Sequence, residues 1–222
     1  MCGRIVRRDA RGYREVFEVA ELSETRVTPR FNIAPTQLDL IIRPEDGERQ
    51  LVDSFWGLLP AWAAERRSAA TLFNARAETL LERPAFRSLV AGHRCIVPAT
   101  GFYEWRQTPS GKVPLFIRSA DGSPLALAAL WTTRRDPETG ETVTSHTVIT
   151  CAANAFMAAI HTRMPVILSG AALAAWLDPA LTDPRAVQPL LVPCADDLLV
   201  CHPVSPLVNA VRNDGPQLLL PR

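Results

Sequence analysis

Nineteen prolines, spread along all 222 residues, limit how long any regular element of this chain can be. Proline fixes the backbone φ angle and lacks an N–H group, so it interrupts helices and central strands. Short apolar runs favour strands at residues 38–42, 113–117, 125–131, 144–150 and 198–201. Helical patterns are fewer, at residues 11–22, 84–90, 155–160 and 171–177, with Asn154 and Ser169 placed to cap the last two. Strands outnumber helices without alternating regularly, which predicts one α+β domain with a β-rich core.

Several classes of protein are excluded by composition. The longest apolar stretches, such as residues 125–131, have seven residues, whereas a membrane-spanning helix needs about 20. The residues after Met1 lack the apolar core of a signal peptide. Five scattered cysteines do not resemble a secreted disulfide framework, and no Cys-x-x-Cys pair indicates a metal site. We therefore expect a soluble cytoplasmic protein without a metal or cofactor.

Charge is nearly balanced over the chain but not at its beginning. The net charge is +1, which by itself predicts no nucleic-acid binding. Within the first fourteen residues, five arginines accompany a single acid, Asp9. This cluster is compatible with a solvated helix face or with a phosphate-binding patch, because the planar arginine fork suits phosphate oxygens.

Cysteine at position 2 has the most specific chemical implication. Initiator methionine is generally removed before a small residue, which would leave Cys2 with both an α-amine and a thiol. An α-amine has a pKa near 8, against about 10.4 for lysine, so enough of it is neutral at pH 7 to attack an aldehyde. The thiol could then close the resulting Schiff base into a thiazolidine ring, or its thiolate could serve in acyl transfer. From its position alone, an incidental terminal residue is the simpler interpretation.

Two further clusters combine aromatic or polar side chains in unusual ways. Trp56 and Trp62 flank a Gly- and Pro-containing segment, where they could fill the core or, in a cleft, stack on unpaired bases. Asn74, Arg76 and Glu78 alternate, so an extended backbone would point all three to one face. Such a polar row is costly to bury unless it meets a ligand or solvent.

Glu104 and His161 are the candidates for proton transfer. Glu104 stands among Phe102, Tyr103 and Trp105, so it is either salt-bridged at the surface or partly desolvated and able to transfer protons near neutral pH. His161 follows the predicted 155–160 helix, where it could cap the helix or act as a general acid or base. The other histidines have no comparable polar neighbours and are predicted to be structural: His93, His146 and His202.

In their order along the chain, these motifs resemble those of the SRAP family, the SOS response-associated peptidases or abasic-site processing proteins. The motifs are Cys-Gly-Arg at residue 2, Asn-x-Ala-Pro at 32, Trp-Gly-Leu-x-Pro-x-Trp at 56, Asn-Ala-Arg-x-Glu at 74, Arg-Cys-x-x-Pro at 94, Gly-Phe-Tyr-Glu-Trp at 101, His-x-Arg-Met-Pro at 161 and Val-Ser-x-x-Val-Asn at 204. The resemblance implies a single domain over residues 2–222, with a β-barrel-like core of short strands, flanking short helices and a basic DNA-binding cleft.

The resemblance also implies a function. SRAP proteins trap abasic sites in single-stranded DNA as a covalent protein–DNA crosslink, can cleave DNA there as lyases, and are associated with autocatalytic removal of Met1. Carried over to this chain, Cys2 forms the crosslink with Asn74, Glu104 and His161 as catalytic companions. The implied DNA contacts are Arg4, Arg76, Trp56, Trp62 and Arg163. The implied protein is a monomer, and it is nucleoid-associated when bound to DNA.

Two alternatives remain open beside the crosslinking enzyme. A cysteine peptidase or amidase acting on other chains could use Cys2, His161 and Asn74. A noncatalytic single-strand binder would tolerate Cys2→Ala, which the two enzymes would not. Within the crosslinking interpretation, we expect Glu104 to take the amine proton and His161 to assist opening of the sugar and reversal of the crosslink.

Overall fold

The structure is a computed structural model that describes residues 2–8, 12–20, 28–60, 72–136 and 139–222. The strands in these ranges are β1 Ile5–Arg7, β2 Arg30–Ile33, β3 Leu38–Glu45, β4 Glu48–Trp56, β5 Asn74–Arg76, β6 Arg94–Ala99, β7 Gly101–Thr108, β8 Gly111–Ser119, β9 Leu125–Arg135, β10 Thr142–Ala152, β11 Arg163–Pro165, β12 Ile167–Leu168 and β13 Leu199–Pro203. The α-helices are α1 Tyr13–Phe17, α2 Pro84–Arg87, α3 Ala155–Ala158, α4 Gly170–Leu177 and α5 Pro184–Val187. Short 3₁₀ helices lie at Ala77–Thr79, Gln188–Leu190, Asp196–Leu198, Pro206–Asn209 and Pro216–Leu219.

The local predictions are confirmed more fully for strands than for helices. Each of the five apolar runs lies largely or wholly within a strand. Asn154 caps α3 as expected, with its side chain accepting a hydrogen bond from Met157 N at 2.9 Å, whereas Ser169 precedes α4 without a side-chain cap. Within the described part of the predicted 11–22 helix, only Tyr13–Phe17 is helical, and Glu18 then adopts a left-handed conformation.

Five strands close into a barrel, because β10 pairs both with β4 and with β9. The strands follow the order β10, β4, β3, β6, β9 and return to β10. Four of these strands contribute Trp56, Ile41, Cys95 and Val148, which are entirely buried in one hydrophobic core. The expected α+β fold with a barrel-like core and short helices is therefore confirmed.

A second, antiparallel sheet lies beside the barrel in the order β13, β8, β7, β1, β2. The chain passes from barrel to sheet at Thr100, the single residue between β6 and β7, whose N–H donates to Val6 O at 2.7 Å. Gly101 permits the close approach that follows, since a Cβ there would overlap Ile117 O and lie 2.6 Å from the Phe116 ring. The N-terminal segment thus becomes a strand paired with β7, which carries Glu104.

Candidate active site around Cys2

Cys2 lies three residues before the start of β1, close enough to Glu104 of β7 for the charge of that carboxylate to act on its thiol. Ile5 pairs with Phe102, and continuing this antiparallel register by two residues places Gly3 opposite Glu104. The Cys2 side chain is buried, and burial together with the negative charge of Glu104 raises the thiol pKa to about 12. The resting side chain is therefore a neutral thiol rather than a thiolate.

Asn74 connects the barrel to the N-terminal segment. It begins β5, which pairs in parallel with β10, and its Nδ2 donates to Cys2 O at 2.8 Å. Its Oδ1 is buried and has no hydrogen-bond partner among the described residues. An unsatisfied buried acceptor is costly, so this oxygen is suited to receive a donor from the Cys2 amine or from a bound molecule.

Glu104 is buried, with 6% of its surface exposed. This burial excludes a surface salt bridge, which would leave the carboxylate in solvent, whereas a role of Glu104 in proton transfer stays a prediction. Its Oε1 accepts a hydrogen bond from Trp105 N at 3.3 Å. A carboxylate held next to Cys2 and away from bulk water is well placed to exchange protons with that residue.

His161 lies in the loop between α3 and β11. Its backbone N–H donates to Met157 O at 2.8 Å, at the end of α3. Its ring Nδ1 accepts a hydrogen bond from Arg163 N at 3.0 Å, and Arg163 O lies 3.2 Å from the same atom. When Nδ1 is an acceptor, the neutral ring carries its proton on Nε2 and donates from there. The two neighbours of β10 near its end are β5, which begins with Asn74, and β11, which follows His161.

Arg4 serves the fold more than the sequence led us to expect. Its Nη1 donates to Asn32 Oδ1 at 2.8 Å and to Val208 O at 2.6 Å, and its Nη2 donates to Asn209 O at 3.2 Å. Its guanidinium also lies 5.8 Å from the centre of the Trp105 ring. These bonds occupy three of the five N–H donors of the side chain, so two are left for a phosphate.

Asn32 and Asn209 are residues whose structural purpose the sequence did not reveal. Buried Asn32 donates through Nδ2 to the carbonyl groups of Val208, Ala210 and Asn213 at 2.8–3.2 Å. Asn209 accepts from Trp105 Nε1 at 2.8 Å. These bonds hold the segment after β13 against β2 and β7. Both amides belong to motifs visible in the sequence, Asn-x-Ala-Pro and Val-Asn. Their hydrogen-bond partners could not be predicted because they lie far away in sequence.

The structure contradicts the stacking role expected for Trp56. Its side chain is 0% exposed, its Nε1 donates to Phe73 O at 3.0 Å, and its ring is stacked against His146. A side chain without accessible surface cannot stack on a base, so Trp56 is a core residue. Trp62 lies outside the described residues.

Arg163 is also committed to internal contacts. Its guanidinium donates to both carboxylate oxygens of Glu78 and to the side chain and carbonyl of Thr150. Its side chain is 15% exposed. Nη1 keeps a second N–H beyond its bond to Glu78, so a phosphate contact by Arg163 stays a prediction beside its role in joining Glu78 to Thr150.

Arg76 is exposed, as a phosphate contact requires, and it shares a pocket with Asn74. The pocket has a volume of about 410 Å³ and is also lined by Arg83, which the sequence analysis missed. Arg83 lies just before α2, and only folding places it beside β5. Leu72 and Phe86 give the pocket an apolar side. Two guanidinium groups beside an apolar surface suit a phosphate backbone with an attached sugar or base.

Within the described ranges, no group of three or more His, Cys, Asp or Glu side chains is arranged to hold a metal ion. No helix in the described part of the chain is long and apolar enough to cross a membrane.

Comparison with known proteins gives consistent results. A family model described as SOS response associated peptidase (SRAP) matches residues 1–211. The abasic site processing protein YoqW of Bacillus subtilis is 39% identical over 199 residues, covering 89% of this chain and 88% of its own. The abasic site processing protein HMCES of Gallus gallus is 33% identical over 245 residues, covering 96% of this chain and 72% of its own. A crystal structure of a Bacteroides thetaiotaomicron protein covers both chains completely with a TM-score of 0.84 at 24% identity, which supports the fold.

Proposed function

The chain belongs to the SRAP family, and on that basis we propose that it processes abasic sites in single-stranded DNA by forming a covalent crosslink through Cys2. The observation that carries this proposal is the arrangement of Cys2, which lies beside the buried carboxylate of Glu104 and is held by the Asn74 amide. The same arrangement requires an α-amine at Cys2, so removal of Met1 is part of the proposal.

The proposed reaction joins an aldehyde to an aminothiol with loss of one water. A ring-opened abasic deoxyribose presents an aldehyde carbon, which the neutral α-amine of Cys2 attacks to form a C–N bond. The carbonyl oxygen takes up, in two transfers, the two protons that the amine nitrogen gives up, and its departure as water leaves an imine. The Cys2 thiol then adds to the imine carbon while its proton passes to the imine nitrogen, which closes a thiazolidine ring.

Glu104 is proposed as the group that moves protons at Cys2. With a thiol pKa of about 12, almost no thiolate is present at neutral pH, so sulfur attack must be coupled to removal of the thiol proton. The buried Glu104 carboxylate is the neighbouring acceptor whose charge acts on that thiol. It can take a proton from the amine in the first step and relay the thiol proton in the last.

Asn74 and His161 are proposed to orient and assist. By binding Cys2 O, Asn74 fixes the backbone from which the amine projects, and its open Oδ1 can accept from the amine or a sugar hydroxyl. His161, with its neutral-form proton on Nε2, can donate to the sugar oxygen during ring opening and during reversal.

The DNA strand is proposed to pass the pocket that contains Arg76 and Arg83. Contacts from these side chains would reach phosphates, which position a strand without selecting its sequence. The imine also offers a route to strand cleavage, because it acidifies the neighbouring carbon for elimination of the 3′ phosphate, so lyase activity is included in the proposal.

A peptidase acting on other chains is less well supported. Acyl transfer by cysteine uses a thiolate, normally generated by a depressed pKa. Burial and the charge of Glu104 raise the Cys2 pKa instead. Peptide-bond cleavage is therefore confined in this proposal to release of Met1.

Mass spectrometry of the intact protein mixed with abasic single-stranded DNA tests the proposal. The wild-type protein should begin at Cys2 and gain the mass of the DNA minus one water without any reductant. Cys2→Ala keeps the amine, so it should lose this stable adduct and retain one that appears only with borohydride. An untreated crosslink in Cys2→Ala would exclude ring closure by sulfur, and the absence of any wild-type adduct would exclude the proposed function.

A further inference from the structure

Glu78 and Arg163 form a two-pronged ion pair that joins separate parts of the site. Arg163 Nη1 lies 3.0 Å from Glu78 Oε1, and Nη2 lies 2.9 Å from Oε2. Bidentate pairing fixes the orientation of the guanidinium plane as well as its position. Glu78 follows β5, which begins with Asn74, and Arg163 begins β11, two residues after His161. The pair therefore connects the Asn74 segment with the His161 segment.

The other side of the Arg163 guanidinium is held by Thr150 of β10. Nη2 donates to Thr150 O at 2.6 Å, and Nε and Nη2 lie 3.3 and 3.2 Å from Thr150 Oγ1. Thr150 is fully buried, whereas the Glu78 side chain is 50% exposed. The guanidinium thus lies between a strand and a carboxylate. Its hydrogen bonds to Glu78, and to a smaller extent its charge, lower the pKa of that carboxyl and favour its ionised form.

The backbone of Arg163 in turn orients the His161 ring. The Arg163 N–H donates to His161 Nδ1 at 3.0 Å, while the backbone of His161 is already anchored to Met157 O. The side-chain direction and the neutral tautomer of His161 therefore depend on how the Arg163 N–H, at 3.0 Å, and the Arg163 C=O, at 3.2 Å, are placed against Nδ1. Because the guanidinium is hydrogen-bonded to Glu78 on one edge and to Thr150 on another, the start of β11 and the Arg163 N–H are kept in place.

We infer that Glu78 is a positioning residue for His161, acting through Arg163. The inference rests on the proposed function, in which His161 donates from Nε2 to the sugar. Loss of the Glu78 carboxylate would free the guanidinium to turn toward a DNA phosphate. Such a variant should bind single-stranded DNA more tightly while the step that needs His161 becomes slower. A carboxylate that only stabilised the fold would not separate these two effects.

The first test needs no DNA. Imidazole ¹⁵N chemical shifts of the full chain at pH 8 report the tautomer of each of the four histidines, and a His161→Gln variant assigns the signal. Wild type should show the Nε2–H tautomer at His161, and Glu78→Gln should show a mixture with Nδ1–H. Glu78→Asp, which keeps the charge, should lie between them. An unchanged tautomer in Glu78→Gln would overturn the inference.

Glu82→Gln is the matched control, because it removes the same charge four residues later from an exposed side chain that has no ion pair among the described residues. It should leave the His161 tautomer and both rates as in wild type. Melting curves of the variants establish that each is folded. If Glu82→Gln changed the His161 tautomer as much as Glu78→Gln does, the cause would be the loss of one negative charge rather than the contact with Arg163. That result would also overturn the inference.

The second test measures crosslink formation and release. Displacement of a reacting group by about 1 Å can cost up to 100-fold in rate, and we expect Glu78→Gln to slow release by roughly tenfold and formation by less than twofold. In a protein that already carries His161→Gln, adding Glu78→Gln should not slow release further, because Glu78 is inferred to act only through His161. An equal loss in that background would contradict action through His161. A wild-type protein that forms no crosslink would instead contradict the proposed function, and the tautomer measurement would still decide the role of Glu78.

Discussion

Glu104→Gln should accelerate alkylation of the Cys2 thiol and slow the crosslinking of Cys2 to abasic DNA. The thiol pKa of about 12, against an ordinary value of 9.0, reflects burial first and the charge of Glu104 second. At neutral pH this upward shift leaves far less thiolate than an exposed cysteine would have. Glutamine has nearly the same size and no charge, so the variant removes the second cause and leaves the first in place.

The size of each change follows from the mechanism. A neighbouring charge commonly shifts a pKa by at least about one unit, so alkylation of Cys2 by iodoacetamide should become about tenfold faster in Glu104→Gln. Crosslinking should become slower by about 100-fold or more, the usual effect of losing a general acid or base. A purely structural carboxylate would not accelerate one reaction of the same residue while slowing the other.

The assay is peptide mapping of alkylated protein over a pH series, with crosslink time courses on the same preparations. Intact mass first establishes whether the chain begins at Met1 or Cys2. Cys194 and Cys201, which are partly exposed, serve as internal standards whose alkylation should not change. If crosslinking accelerates together with alkylation, Glu104 is not the base. If alkylation is unchanged, its charge does not act on the thiol.

Three other predictions follow from individual contacts. Burial lowers the pKa of His146 to about 3, so between pH 6.5 and 3 the unfolded chain binds a proton that the folded chain does not, and the free energy of unfolding should fall by about 1.4 kcal/mol per pH unit as pH decreases. In His146→Asn, the slope of the unfolding free energy against pH, measured by urea unfolding, should be smaller by the contribution of one proton, about 1.4 kcal/mol per pH unit. An equal slope would contradict a lowered pKa of His146. Gly101→Ala should lose about 1–3 kcal/mol of stability because its Cβ meets Ile117 O, whereas Gly92→Ala, which has open space around it, should be nearly neutral in the same melting assay. Arg76→Ala should reduce the slope of log affinity against log salt for single-stranded DNA by about 0.7, and an unchanged slope would place Arg76 away from the strand.

Local properties of this protein could be predicted from the sequence. Five apolar runs predicted strands, and all five lie largely or wholly in strands, because apolar side chains fit a pleated, buried backbone. The Asn154 cap was also predicted, since its partner lies three residues away. The family was recognisable because its motifs are contiguous, and the expected reaction follows from the position of Cys2 and the chemistry of an aminothiol.

The partners of each side chain were decided only by the tertiary structure. The sequence did not predict that Arg4 donates to Val208 O, 204 residues away, or that Arg163 is held by Glu78, 85 residues away. Trp56 is a core residue because closure of the barrel around it removes its surface from solvent. Hydrophobicity and local spacing fix which residues tend to pair or be buried, but a hydrogen bond needs both partners at about 3 Å. For residues so far apart in sequence, only the register of the sheets and the closure of the barrel set that distance.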